Sequence, residues 1–122
     1  MKMGKEHRVP LSDAAIKLLE AMPRMEGTDL VFPGTKGQPL SDMSLTAVMR
    51  RMDVDAVPHG FRSTFRDWAG DRTNYPRDMA EAALAHKLEN KVEEAYRRGD
   101  ALEKRREMMQ AWGKFILTPT TN

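Results

Sequence analysis

Apolar residues recur at helical spacing through most of this chain, a pattern that predicts a mainly α fold. Each apolar stripe follows a residue that caps or opens helices, such as serine, aspartate or proline. The predicted helices run from Asp13 to about Met22, from Ser41 or Asp42 to about Met52, from Pro58 to about Gly70, from Pro76 to His86, from Glu89 to Arg98 and from Asp100 toward Leu117.

The same stripes predict which side chains form the core. We expect the inward side chains to be Ala15, Ile16, Leu18, Leu19, Leu45, Val48, Met49, Met52, Phe61, Phe65, Trp68, Ala69, Met79, Ala82, Ala83, Leu84, Met108, Met109, Trp112 and Ile116. Two further segments are not helical in pattern. Glu6 to Leu11 predicts a short strand, and Leu30 to Phe32, bounded by Pro33, predicts a short buried segment.

Length and composition narrow the class of protein. The chain has 122 residues, of which 40% are hydrophobic and 31% charged, enough for one modest core. It has no cysteine, which excludes disulfides and thiolate metal sites. No apolar run has the length of a membrane span and no signal peptide is visible, so we expect a soluble cytoplasmic protein. The formal net charge of +2 does not by itself indicate a nucleic-acid binder.

The candidate chemistry lies in three linked places: His59 and Arg62, then His86, then Tyr96. An arginine can pair two oxygens of one phosphate, and a histidine can donate to a phosphate or move a proton near neutral pH. A tyrosine hydroxyl is a possible nucleophile when positive charge or a proton acceptor lies beside it. Since His59 and Arg62 are three residues apart, a helix would place them on one face. The pattern predicts a phosphodiester-cleaving site.

Ordinary interpretations of these residues remain open on the sequence alone. His59 can be a helix-end residue, Arg62 a solvated surface residue and Tyr96 a half-buried aromatic. His7 has no matching role, and we expect it on the surface. A metal site is disfavoured because the three histidines are not spaced as a ligand pair and no acidic cluster accompanies them.

The string from His59 to Ala69, followed by Leu84-Ala85-His86 and then Tyr96, resembles the tyrosine recombinases, specifically the phage-type integrases of prophages and genomic islands. The similarity runs from Lys2 to about Phe115. It implies that residues 1–117 are the C-terminal part of a helical catalytic domain with a short N-terminal β-hairpin remnant. Residues 118–122 are expected to be a disordered tail, as chain termini often are.

The resemblance implies a role for each motif residue in site-specific DNA recombination. Tyr96 would attack the scissile phosphate and form a 3′-phosphotyrosyl intermediate. Arg62 would hold the non-bridging oxygens, and His86 would donate to the phosphate. His59 would assist proton transfer from the tyrosine, and Lys2 would protonate the leaving 5′-oxygen.

Lys5 is the alternative to Lys2 in the hairpin. The partners implied are double-stranded DNA at attachment sites and other integrase protomers in a synaptic tetramer, with no membrane, small-molecule substrate, metal or cofactor. We expect DNA contacts from Lys36, Arg66 and Lys87, although a plain solvated loop residue is the more ordinary interpretation of Lys36.

One part of the family pattern has no match. The family carries another catalytic arginine upstream of the hairpin, and no arginine of this chain corresponds to it. We therefore expect this polypeptide to be inactive by itself. Two alternatives stay open: a non-catalytic module that binds DNA or another protomer, and a DNA-relaxing enzyme related to the type IB topoisomerases.

Overall fold

The computed structural model describes residues 6–91, 94 and 99–119. Within them lie five α-helices, α1 (Asp13–Ala21), α2 (Ser44–Arg51), α3 (Gly60–Arg72), α4 (Arg77–Ala83) and α5 (Gly99–Leu117), and one 3₁₀ turn, Thr35–Gly37. The described part of the chain contains no strand. The prediction of a mainly α protein is confirmed, while most of the helix predicted from Glu89 to Arg98 lies outside the described residues.

The core lies where α3, α4 and α5 meet. Phe65 and Trp68 of α3 are buried, as the apolar stripe predicts. They pack with Met79 of α4, with Leu84 just after it, and with Met108 of α5, whose side chain is 0% exposed. Because α3 and α4 share this core, the polar ends of both helices are held in a fixed relation.

An aromatic cluster joins α3 to α5. The Trp112 ring meets Phe65 edge to face, with 5.2 Å between centroids, and lies 5.2 Å from the Trp68 ring. Phe115 extends the cluster at 6.0 Å from Trp68. Aromatic pairs in such geometries stabilise a fold by more than the burial of their apolar surface alone. The long last helix is therefore attached to the helix that carries Arg62.

The strand predicted from Glu6 to Leu11 is not formed. A strand needs a neighbour for its backbone hydrogen bonds, and none lies beside it among the residues described. Side chains hold the segment instead: His7 Nε2 donates to the carbonyl of Ala82 at 2.9 Å, and Arg105 Nη2 donates to the carbonyl of Arg8 at 2.8 Å. His7, predicted on the surface, is half-buried against the end of α4.

Helix starts were predicted with mixed success. Ser12 caps α1 as expected, and its Oγ accepts from the Ala15 N–H at 3.2 Å. The predicted start of α2 was wrong, because neither Ser41 nor Asp42 is its N-cap and the helix begins at Ser44. A turn precedes it, closed by the Ser44 N–H donating to the Ser41 carbonyl at 3.1 Å. This turn takes up the residues that the sequence pattern assigned to the helix.

Several apolar side chains predicted to be inward are exposed. Leu30 to Phe32 is exposed rather than buried, and α2 has no buried residue. The other exposed members of the predicted core are Ile16, Leu18, Leu45, Val48, Met52, Phe61 and Ile116. An apolar stripe predicts a face, but burial needs a second element to cover it. In the described chain, α2 makes no extensive contact with another helix.

Gly113 of α5 lies against Ser12, the N-cap of α1, and a Cβ at position 113 would come 2.8 Å from the Ser12 Oγ. Glycine to alanine inside a helix ordinarily stabilises by about 1 kcal/mol. We expect Gly113→Ala to lower the free energy of unfolding instead, because α1 must move away from α5. Gly70→Ala in α3 is the matched control, since its Cβ meets only the flexible end of Arg66 at 3.3 Å. Urea unfolding of both variants checks this, and a stabilised Gly113→Ala would contradict the packing.

Candidate functional site

His59 and Arg62 lie in the first turn of α3. His59 is the N-cap residue with helical backbone angles, and its carbonyl accepts the Arg62 N–H at 3.1 Å. The His59 side chain is exposed, whereas Arg62 is partly buried. Arg62 Nη2 reaches across to donate to the carbonyl of Leu84, just past the end of α4. One edge of the guanidinium thus binds the protein, and a guanidinium carries five N–H donors in all.

A tight turn at the end of α4 places His86. The His86 N–H donates to the Glu81 carbonyl at 2.9 Å and the Ala85 N–H donates to the Ala82 carbonyl at 3.1 Å. These two bonds form a Schellman motif, which requires a left-handed residue between them. Ala85 adopts that conformation with φ 59, a position that glycine usually takes. The helix predicted to reach His86 therefore ends at Ala83, and His86 folds back over its last turn.

Glu81 connects the two helices at this point. Its Oε1 accepts from Arg66 Nε at 2.9 Å, and its Oε2 accepts from His86 Nδ1. The Glu81 side chain is 18% exposed. Arg77 lies one turn before it on α4, with its Nε 3.9 Å from Oε1, and is largely solvated. A half-buried carboxylate is thus surrounded by three basic groups.

The surroundings of Glu81 determine its charge. Burial alone would raise the pKa of the carboxyl, but the hydrogen bonds from Arg66 and His86, together with their positive charges, lower the pKa below its usual range. Glu81 is therefore ionised at neutral pH, and an ionised carboxylate can only accept hydrogen bonds. It follows that Nδ1 of His86 carries a proton, and that Nε2 is the nitrogen directed away from this contact.

The other predicted site residues are distributed around this junction or away from it. Arg66, predicted to contact DNA, donates to Glu81 and is 27% exposed in its side chain. Lys87 is exposed directly after His86. Lys36 lies on the separate Thr35–Gly37 turn with a left-handed backbone, φ 59. The predicted nucleophile Tyr96 and the predicted general acid Lys2 both lie outside the described residues.

Sequence reasoning missed Glu81. One signal was present, because Arg77 and Glu81 have the spacing of an ion pair on one helical face. The contact with His86 had no such signal. It depends on the left-handed conformation of Ala85, which an alanine in the sequence does not predict because glycine usually takes such positions.

Two kinds of feature are absent from the described residues. Among them, no cluster of three or more histidine, aspartate or glutamate side chains is arranged to hold a metal ion. No helix in the same part of the chain is long and apolar enough to cross a membrane.

The sequence of the chain is similar to that of a known protein family. The sequence profile of the phage integrase family matches residues 1–103. Prophage integrase IntA of Escherichia coli K12 is 40% identical over 121 residues, which cover 95% of this chain and 29% of that protein. The integrase of Enterobacteria phage P4 is 34% identical over 124 residues, covering 95% of this chain and 28% of that protein.

The integrase of Shigella phage Sf6 is 32% identical over 122 residues, covering 95% of this chain and 31% of that protein. The chain spans less than a third of the length of these curated relatives. No solved structure matches the chain. The family profile extends across His59, Arg62 and His86 and includes the position of Tyr96. The chain belongs to the phage integrase family.

Proposed function

We propose that this chain is the C-terminal part of the catalytic domain of a tyrosine-type site-specific recombinase, which integrates or excises a prophage or genomic island. The observation that supports this most directly is the α3–α4 junction, where Arg62 and His86 converge on the end of one helix. The junction combines the Arg62 guanidinium, which has further N–H donors beyond the one bound to Leu84, with the His86 imidazole, which Glu81 orients through Nδ1. A scissile phosphate needs both kinds of group.

In the proposed reaction, the Tyr96 hydroxyl oxygen attacks phosphorus in line with the leaving 5′-oxygen. The phosphorus–tyrosine bond forms and the phosphorus–5′-oxygen bond breaks, while His59 accepts the phenolic proton and Lys2 supplies one to the leaving oxygen. Arg62 and His86 stabilise charge on the non-bridging oxygens, an effect of several kcal/mol for preorganised donors. Because the phosphotyrosyl link keeps the bond energy, a 5′-hydroxyl of a second strand can reverse the step. The result is strand exchange without metal or nucleotide.

The proposed substrate is double-stranded DNA at attachment sites, with other integrase protomers completing a synaptic tetramer. Lys36 and Lys87, both exposed, and Arg66 are proposed to contact the phosphate backbone. A genomic DNA substrate supports a cytoplasmic location.

A second candidate is a module that binds DNA or another protomer without cutting. It is favoured by one sequence observation: none of the chain's arginines matches the family's other catalytic arginine. Losing one preorganised donor costs about a hundred- to a thousandfold in rate. We therefore propose that this polypeptide alone does not cleave, and that it reacts within a recombinase that supplies that arginine.

The test is covalent capture on a nicked attachment-site substrate, from which the cleaved strand end diffuses away. The chain is compared with a version extended upstream to include the second arginine, and adducts are resolved on a denaturing gel and mapped by peptide sequencing. We expect an adduct only in the extended protein, attached at Tyr96. Salt-dependent DNA binding without an adduct in either protein would favour the binding module. Relaxation of supercoiled plasmid without recombinant product would instead indicate topoisomerase activity.

A further inference from the structure

We propose that Glu81 is a positioning residue that fixes the orientation and tautomer of His86 and ties it to α3 through Arg66. The consequence for DNA cleavage rests on the proposed function. The contact itself does not, and it can be tested independently. Glu81 is not among the motif residues that the family resemblance identified.

The backbone of His86 is already fixed by the Schellman turn, in which its N–H bonds to the Glu81 carbonyl. Its ring still has two side-chain rotations, and it is the Glu81 carboxylate that restrains them through Nδ1. Glu81 thus binds the same residue twice, through its backbone and through its side chain. With its backbone and Nδ1 both bonded to Glu81, His86 presents Nε2 in one direction. Less conformational entropy is then lost when a phosphate binds.

The second carboxylate oxygen prevents Glu81 from turning away. Oε1 is occupied by Arg66 of α3 at 2.9 Å, and Arg77 of α4 adds a weaker attraction at 3.9 Å. Together with His86, these are the charged groups that face Glu81 from the elements packed against it. Arg66 and Arg62 belong to the same face of α3, four residues apart. Glu81 therefore relates the position of His86 to the helix that carries Arg62.

The chemistry of the imidazole gives this contact a function. A neutral ring has one N–H, and a carboxylate on Nδ1 keeps the proton there. Nε2 can then act only as an acceptor while the ring is neutral, and it becomes a donor to a phosphate oxygen when the ring gains a second proton. The negative charge of Glu81 offsets the positive charge of that form. Partners of this kind orient catalytic and metal-bound histidines in many proteins.

His86 and His7 are predicted to hold opposite tautomers, because His7 donates from Nε2 to the Ala82 carbonyl. Ring ¹⁵N chemical shifts, followed with rising pH until they reach the plateau of the neutral rings, distinguish the two. The chain contains three histidines, so substitution of each assigns the signals. In Glu81→Ala we expect the His86 signals to move to a mixture of tautomers while those of His7 stay unchanged. Unchanged His86 signals in this variant would overturn the proposal.

Two further variants keep the test decisive. Glu81→Gln preserves the shape of the side chain, and its amide can donate or accept, so the preference for a proton on Nδ1 should weaken. This variant serves as the test if Glu81→Ala does not fold. Arg66→Ala removes the same link between α3 and α4 but leaves the carboxylate beside His86. We expect the His86 tautomer to persist in Arg66→Ala. Its loss there would mean that the helix contact, rather than Glu81, orients the ring.

The catalytic consequence is measured in the extended recombinase. Glu81→Ala is expected to slow covalent capture about 10- to 100-fold without weakening DNA binding, the size of effect known for removing the orienting partner of a metal-bound histidine. Glu81→Gln should recover part of the rate. If the tautomer changes and the rate does not, Glu81 is not a positioning residue for cleavage. If even the unsubstituted recombinase forms no adduct, the proposed function fails, while the tautomer result still decides the contact.

Discussion

Replacing Tyr96 by phenylalanine is expected to abolish covalent capture of DNA by the extended recombinase, while its affinity for duplex DNA stays nearly unchanged. In the proposed reaction, the phenolic oxygen of Tyr96 forms the bond to phosphorus, and phenylalanine lacks this oxygen. DNA affinity arises mainly from contacts between basic side chains and phosphates, which the substitution leaves in place. Capture on the nicked substrate, with binding measured by fluorescence anisotropy, separates the two effects. We expect no adduct from Tyr96→Phe over the time in which the unsubstituted protein reacts to completion.

Tyr75 is the matched control because the chain has two tyrosines. Tyr75 lies in the connection between α3 and α4 and packs against the core. Burial and the negative charge of Glu107 raise the pKa of its hydroxyl, which makes the tyrosinate harder to form. Tyr75→Phe should therefore capture DNA at the normal rate. Equal capture by the Tyr96 variant, or loss of capture in the Tyr75 variant alone, would overturn the assignment of the nucleophile.

Replacing Trp68 by alanine is expected to lower the free energy of unfolding by about 3 to 5 kcal/mol. The Trp68 side chain is 7% exposed, and its ring contacts Phe65, Trp112 and Phe115 with centroids 5.8, 5.2 and 6.0 Å away. Removing it opens a cavity between α3 and α5. Since domains of this kind are stable by about 5 to 15 kcal/mol, the loss is a large share of the total. Chemical denaturation followed by circular dichroism measures it.

Phe61 offers a control on the same helix. Its side chain is 55% exposed although the sequence stripe places it with Trp68. We expect Phe61→Ala to change the free energy of unfolding by no more than about 0.5 kcal/mol, as for other surface substitutions. A comparable loss in both variants would mean that Phe61 is covered in solution and that α3 is buried on a second side.

The sequence by itself determined the helices whose signals are local. Ser12 starts α1 because a serine oxygen can accept an N–H of the first turn. Phe65 and Trp68 were predicted in the core because residues three apart share a helical face. The order of His59, Arg62 and His86 also identified the family, because the spacing of a motif is read from the sequence and does not depend on how the helices pack.

The tertiary structure decided what depends on a partner distant in sequence. Whether an apolar stripe is buried depends on a covering element, which explains why Phe65 is buried and Phe61 is not. A segment with strand-like sequence becomes a strand only beside another strand, and Glu6 to Leu11 has none among the described residues. The contact of Glu81 with Arg66 and His86 required both the packing of α3 on α4 and a left-handed alanine. Neither is visible in the residue pattern, because each arises from the fold as a whole rather than from neighbours along the chain.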